Sequence, residues 1–352
     1  MGHEHDPFLA PNCRTPSLRT VAIGVTTALP VLSVTASRKP WLRTVALGLT
    51  TAFALLTPTV LAAIRNWHPS DRGAAVSRAR GANGACGMSV AVVRRDKVLL
   101  ARGFGEKNEV GDAVTSDTLF AIGSASKAFA ALLIGQLVEQ GKLSWTTPVT
   151  TLHPTSFKDP IAVSQANLID ISRIKRGSRC TDRWASSGTP PTRLCLWPSR
   201  PAWLIQLKVN QTQPSRSTWQ YTNYMYALAG EIAWKAMGKA SYAEALKGGL
   251  LDPLEMSSTV ANFEKIPNTP DHARSIDLDG NVMGYEEEYF LSPTVAAGGI
   301  STSANDATHW LQTLLSRRNR SGTQLVNDST FEQLTRPHNA IKFPRSAVRG
   351  YT

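Results

Sequence analysis

The chain has 352 residues, 42% of them hydrophobic, and a formal net charge of +12. Most of this charge lies in residues 172–216, where nine Lys and Arg accompany a single acid, Asp182. Because the positive charge is confined to one segment, it does not indicate a nucleic-acid-binding protein. The four cysteines and seven histidines are scattered without metal-ligand spacing, so we expect neither a cofactor nor a metal site.

Residues 1–84 are predicted to form a targeting or anchoring region. The pattern at residues 18–28 recurs at residues 42–52 with nine identities in eleven positions, and the second copy opens an uncharged stretch of 21 residues from Thr44 to Ile64. Such a stretch is long enough to span a bilayer. It favours a signal peptide or membrane anchor, and hence a secreted or membrane-anchored protein with an extracytoplasmic catalytic domain; a mitochondrial presequence is the alternative. Residues 70–84, rich in Gly, Ala and Arg, form the predicted linker.

A β-hairpin is predicted over residues 88–105. Two short runs rich in β-branched and other apolar residues are separated by the polar residues 95–97, and glycines follow the second run. The hairpin leads into a serine at the predicted start of a helix, which is a specific arrangement.

That serine, Ser124, lies three residues before Lys127. A helix after Ser124 is indicated by apolar residues at helical spacing: Phe129, Leu132, Leu133 and Leu137. Gly141 suits a left-handed cap at its end. Residues three apart share a helix face, so we expect the Lys127 amine beside the Ser124 hydroxyl.

The pair has two interpretations. A serine hydroxyl is a poor nucleophile at neutral pH, and a lysine can take its proton only where burial or nearby positive charge keeps the amine neutral. Ser124 would then be a nucleophile and Lys127 its base. The alternative is structural, with Ser124 as a helix N-cap and Lys127 as a solvated helix residue.

Further along the chain, apolar periodicity predicts helices at residues 223–237, 240–246 and 304–316. Taken together, these motifs resemble the serine β-lactamase and penicillin-binding-protein superfamily, in its class C-like branch of β-lactamase-related esterases and peptidases. The hairpin and the Phe-x-Ile-Gly-Ser-x-Ser-Lys motif that ends at Lys127 follow that pattern. Similar segments occur in the family's order at residues 141–149, 219–231, 252–259 and 296–306.

The resemblance implies an α+β fold for residues 85–352, in which an antiparallel sheet has flanking helices and a helical subdomain. It implies that Ser124 is the nucleophile and that Lys127 and Tyr221 share the roles of base and acid. Asn223, two residues after Tyr221, would donate a hydrogen bond to the substrate and accept one from Lys127. The activity implied is a serine hydrolase acting through an acyl-enzyme on an ester or peptide-like amide, with a small-molecule or peptide-like substrate.

Residues 172–217 depart from the family's pattern. Where the family has Ser-His-x-x-Gly, this chain has basic residues, followed by three tryptophans and two cysteines: Trp184, Trp197, Trp203, Cys180 and Cys195. One base string that encodes residues 172–177 gives Ser-His-Lys-Thr-Gly when it is read two positions later. We interpret the segment as translated out of frame, through a frameshift or a mistaken gene model. The alternative is an insertion that binds nucleic acid or an anionic membrane surface, but it has no recognisable nucleic-acid module.

The second departure is at the C-terminus. The family's third motif, Lys-Thr-Gly or His-x-Gly on an inner strand, would follow the point where this chain stops, at Thr352. We therefore expect a sheet that is incomplete at the C-terminus and little or no hydrolysis by this polypeptide. The corresponding alternative function is a noncatalytic scaffold that is tethered to a membrane through residues 44–64 or self-associates.

Overall fold

The computed structural model describes most of the chain between residues 85 and 336, together with three short strands outside that range. The described residues are 21–22, 85–153, 160–172, 223–261, 263–275, 294–336, 339–341 and 349–351, with single positions at 73, 76, 77, 80 and 282. The chain divides into two compact units. The first unit comprises Met1–Phe120, Pro267–Glu287 and Thr302–Leu315, and the second comprises Ala121–Ile266, Glu288–Ser301 and Ser316–Thr352.

Helices and short strands are mixed along the described residues. The strands are β1 (Val21–Ala22), β2 (Gly87–Arg94), β3 (Lys97–Gly105), β4 (Phe120–Ala121), β5 (Ser301–Thr302), β6 (Asn339–Ile341) and β7 (Arg349–Tyr351). The α-helices are α1 (Ser126–Glu139), α2 (Val149–Leu152), α3 (Pro160–Gln165), α4 (Leu168–Ser172), α5 (Asn223–Ala236), α6 (Tyr242–Leu246), α7 (Val295–Gly298), α8 (Ala304–Ser316) and α9 (Asp328–Thr335).

The predicted hairpin is present in the first unit. Strands β2 and β3 pair antiparallel, and β1 pairs with β2 in parallel, so that the sheet order is β1-β2-β3. At the turn between β2 and β3, Arg95 has a left-handed φ of 59°. On one face of the hairpin, Met88 and Phe104 pack with Val76 into a small apolar cluster.

Helix α1 lies in the core of the second unit, where it packs against α5, α6, α7 and α9. The apolar side chains that predicted this helix are all nearly inaccessible: Phe129, Leu132, Leu133 and Leu137. The helix ends at Glu139, and Gly141 follows with φ of 69°, as the C-cap prediction requires. Because its apolar side chains are buried, α1 holds its first turn in place, and that turn carries Ser126 and Lys127.

In this same unit, α5 approaches α7 closely at Gly230. A Cβ added at Gly230 would lie 2.5 Å from Ala296 Cβ and 3.2 Å from Tyr242 Cδ2. We expect Gly230→Ala to lower the free energy of unfolding by about 1–3 kcal/mol, because the added methyl overpacks this contact. The matched control is Gly248→Ala, whose Cβ would meet no atom within 4 Å. That change should instead stabilise the protein by roughly 0.5–1 kcal/mol, through lower backbone entropy in the unfolded chain. Urea denaturation of both variants measures the free energy of unfolding and so tests whether the two changes have opposite signs. Equal effects would contradict the close approach of Gly230 to Ala296.

Within the described ranges, no helix combines the length and the apolar character needed to cross a membrane. The predicted span from Thr44 to Ile64 lies outside those ranges, and it stays a prediction.

Candidate active site

The candidate site begins at a 3-10 turn, Gly123–Ala125, that leads directly into α1. Gly123 adopts φ of 51°, a left-handed conformation that glycine reaches without a steric penalty. The turn places Ser124 two residues before Ser126, the first residue of the α-helix. Ser124 was predicted at the start of a helix, and the structure places it in the short turn that leads into that helix.

The buried side chain of Ser126 holds this turn in place through hydrogen bonds. Its hydroxyl donates to the Gly123 carbonyl at 2.7 Å and accepts from the Ile300 N–H at 3.1 Å, and the residue has no exposed surface. Ile122 N–H also donates to the Ile300 carbonyl at 2.9 Å. Sequence reasoning missed this role, although the serine directly before the lysine of the motif was a usable signal. A buried hydroxyl in an apolar helix start needs partners, and here it joins two distant segments.

Lys127 lies on the first turn of α1 and is only 6% exposed. Its Nζ donates to three oxygens: Ser124 Oγ at 3.1 Å, Asn223 Oδ1 at 2.8 Å and the Ala297 carbonyl at 2.6 Å. Asn223 is the first residue of α5, and Ala297 belongs to α7. The structure thus brings together three of the four predicted site residues and adds a backbone carbonyl. No side-chain motif in the sequence could have indicated that carbonyl.

Burial changes the protonation of this lysine. It lowers the pKa of the Lys127 amine from its ordinary value of 10.5 to about 7, because the charged form loses its hydration. A large fraction of the amine is consequently neutral near neutral pH, which is the condition for a lysine to act as a base.

The three oxygens differ in what they can exchange with the amine of Lys127. An ammonium group can donate to all three, whereas a neutral amine has two N–H groups and one lone pair. The Asn223 Oδ1 and Ala297 carbonyl oxygens can only accept, so they take the two N–H groups. Of these three oxygens, Ser124 Oγ is the one with a proton to donate, so the lone pair can be directed at its hydroxyl. This arrangement can move a proton from Ser124 to Lys127.

Two of the predictions made for this region lie outside the described residues: the role of Tyr221 and the out-of-frame interpretation of the basic segment, of which only Ser172, at the end of α4, is described. Both stay predictions. Among the residues with described positions, no group of three or more His, Cys, Asp and Glu side chains could hold a metal ion.

Comparison with known proteins places this chain in a family. The family model described as Beta-lactamase matches residues 74–349. The curated protein Unguisins hydrolase ungD' of Aspergillus campestris is 28% identical over 248 residues, which cover 66% of this chain and 44% of that protein. This chain therefore spans less than half the length of that relative.

Solved structures agree on the fold. The octameric penicillin-binding protein homologue from Pyrococcus abyssi superposes with a TM-score of 0.62 at 22% identity, covering 79% of this chain and 62% of that one. A class C beta-lactamase superposes with a TM-score of 0.58 at 21% identity, covering 78% of this chain and 70% of that one. The predicted superfamily and its α+β fold are confirmed. Because the family model covers well over half of the chain, the protein belongs to the beta-lactamase family of serine hydrolases.

Proposed function

We propose that this chain forms an acyl-enzyme at Ser124 with an ester or a peptide-like amide. The observation that carries the proposal is the position of Lys127 Nζ, 3.1 Å from Ser124 Oγ and held there by Asn223 and Ala297. A buried amine with its lone pair directed at a serine hydroxyl is what general-base activation of that serine requires.

In the first step, Ser124 Oγ attacks the substrate carbonyl carbon while Lys127 Nζ takes the hydroxyl proton. The new C–O bond forms as the carbonyl electron pair moves onto its oxygen. When that pair returns, the bond to the leaving alcohol or amine breaks, and the leaving group takes the proton from the Lys127 ammonium. In hydrolysis of the acyl-enzyme, water attacks the acyl carbon while Lys127 Nζ takes one of its protons. The bond from the acyl carbon to Ser124 Oγ then breaks, Ser124 Oγ takes that proton from Lys127, and the acid leaves. No oxidant, reductant or metal enters this sequence.

Other residues have proposed supporting roles. The backbone N–H of Ser124 would donate to the developing oxyanion, a kind of contact that stabilises charge only as it forms. Asn223, whose Oδ1 accepts from Lys127, would use its NH₂ group toward the carbonyl side of the substrate. Tyr221 would share proton transfer with Lys127, as the family resemblance implies.

The class of substrate is supported by the chemistry of the site. An acyl-enzyme mechanism needs a carbonyl with a leaving group, which esters and amides both supply. The Aspergillus relative is named as a hydrolase of unguisins, which supports hydrolysis over simple binding. Pocket residues outside the motif select among substrates within such a family.

The test is acylation of the full chain with a p-nitrophenyl ester, followed by intact mass and peptide mapping. We expect one acyl group per folded chain, on Ser124, and none on the Ser124→Ala variant. Ser144→Ala is the matched control, because Ser144 is an exposed serine beyond the opposite end of α1 from Ser124, and it should label like the parent. Label that persists in Ser124→Ala would overturn the proposal. A folded, unlabelled parent would favour a noncatalytic scaffold instead.

A further inference from the structure

An aromatic ring lies against the amine of Lys127. The Tyr226 ring is placed beneath Lys127 Nζ, with 5.5 Å between the nitrogen and the ring centroid. Tyr226 is 7% exposed, so both partners are shielded from water. It follows Asn223 by three residues on α5, and positions with this spacing share one helix face. One turn of α5 therefore contributes both an amide oxygen and a ring to the environment of Lys127.

The ring distinguishes between the two protonation states of the amine. The face of an aromatic ring carries partial negative charge, which attracts a cation strongly and a neutral amine much less. The attraction is larger where water is excluded. Tyr226 thus favours the ammonium form and opposes the effect of burial, which favours the neutral amine.

Among the side chains that the structure describes, and apart from Lys127 and Tyr226 themselves, the titratable and charged groups on α1 and on the elements packed against α1 and α5 are Glu139, Asp170, Glu231, Lys235, Tyr242, Glu244, Lys247, Asp328 and Glu332. Several of them make contacts of their own. Glu231 binds Lys235 at 2.7 Å, and Asp328 binds Arg317 at 2.9 Å. Glu139 accepts from the Asn327 N–H. These contacts engage Glu231, Asp328 and Glu139 with partners other than Lys127.

We infer that Tyr226 is a positioning residue whose ring face stabilises the Lys127 ammonium, so that the amine can both take the Ser124 proton and return it to the leaving group. The inference rests on the proposed acyl-enzyme function. A base that also acts as the acid works best when its two protonation states are close in free energy at the working pH. Burial favours the neutral form of Lys127, and the ring opposes part of that effect.

The test measures Lys127 directly, without a substrate. In the full chain with ¹³C-labelled lysine, the Lys127 Cε resonance, assigned from the Lys127→Met spectrum, is titrated by NMR. Tyr226→Leu should lower the pH of the titration midpoint by about one unit, as expected for loss of a desolvated cation–π contact. Tyr226→Phe is the matched control: it keeps the ring, so its midpoint should stay within a few tenths of a unit of the parent.

Two results would overturn the inference: an unchanged midpoint in Tyr226→Leu, or an equal shift in Tyr226→Phe, which would assign the effect to the hydroxyl. If the leucine variant does not fold, Tyr226→Met offers a longer and more flexible side chain to fill the space of the ring, and it carries the same expected shift. Ester labelling of Ser124 on the same samples separates the two proposals. A parent that titrates as expected but takes up no label contradicts the proposed function and leaves the ring contact established.

Discussion

Replacing Lys127 with methionine should lower the rate of Ser124 acylation by about 10²–10⁴-fold, the range that a positioned general base contributes. Methionine fills a similar volume, so the packing of α1 is kept while the lone pair directed at Ser124 is lost. The free energy of unfolding should not fall, because the buried amine is costly to desolvate and its removal relieves that cost. Stopped-flow release of p-nitrophenolate measures the rate, and urea denaturation measures the stability.

Lys127→Arg is the control for charge. A guanidinium stays protonated at every pH of interest and cannot act as a base. We therefore expect the arginine variant to be as slow as the methionine variant although it keeps a positive charge near Ser124. A loss of less than tenfold in both variants would show that another group activates the serine.

The acylation rate should also depend steeply on pH. Burial places the pKa of Lys127 at about 7, and only the neutral amine can accept the Ser124 proton. The rate should accordingly fall by about tenfold for each pH unit below 7 and level off above it. Rate measurements from pH 5 to 9 test this, with Lys127→Met as a control that should lack the inflection at 7. A rate that rises toward acidic pH would contradict the role of the neutral amine.

The same shift has a consequence for stability with a definite sign. The unfolded chain keeps the ordinary lysine pKa of 10.5, whereas the folded chain releases this proton near 7. Between these values the unfolded state binds more protons, so the contribution of Lys127 to stability rises with pH across that window. Its unfavourable effect is greatest below pH 7 and is absent above 10.5. In Lys127→Met this component of the pH dependence should disappear.

The local pattern of apolar residues was sufficient to predict several of the helices and strands. The hairpin at residues 88–105 and the helices predicted from residues 223 and 304 occur within a few residues of their expected bounds. These elements have strong periodicity, which depends only on neighbouring residues. The contact between Ser124 and Lys127 was likewise predictable, since helix geometry places residues three apart together.

What sequence reasoning missed depends on long-range contacts. The Ala297 carbonyl belongs to a four-residue helix. Every residue has a backbone oxygen, so the amino-acid type at position 297 does not indicate that this one accepts from Lys127. The hydrogen bonds of Ser126 could not be predicted either, because the sequence does not show that Ile300 lies beside the turn at residues 123–125. Helix α9 is a different case, because Asn327 caps it by accepting from the Thr330 N–H at 2.8 Å. An N-cap asparagine followed by an acid is a readable signal that was not used.

The oxygens that hold Lys127 come from parts of the chain far from it in sequence. Asn223 is 96 residues away and Ala297 is 170 residues away. Closing loops of this length costs conformational entropy, so we expect these contacts to form only together with the tertiary structure. Before they form, the amine is hydrated and protonated at neutral pH, and Ser124 is chemically no different from any other serine. The reactivity of Ser124 is therefore a property of the completed tertiary structure. A nascent or misfolded chain should not be acylated at Ser124 by activated esters, and the fraction of chains labelled at Ser124 would measure the fraction that has folded.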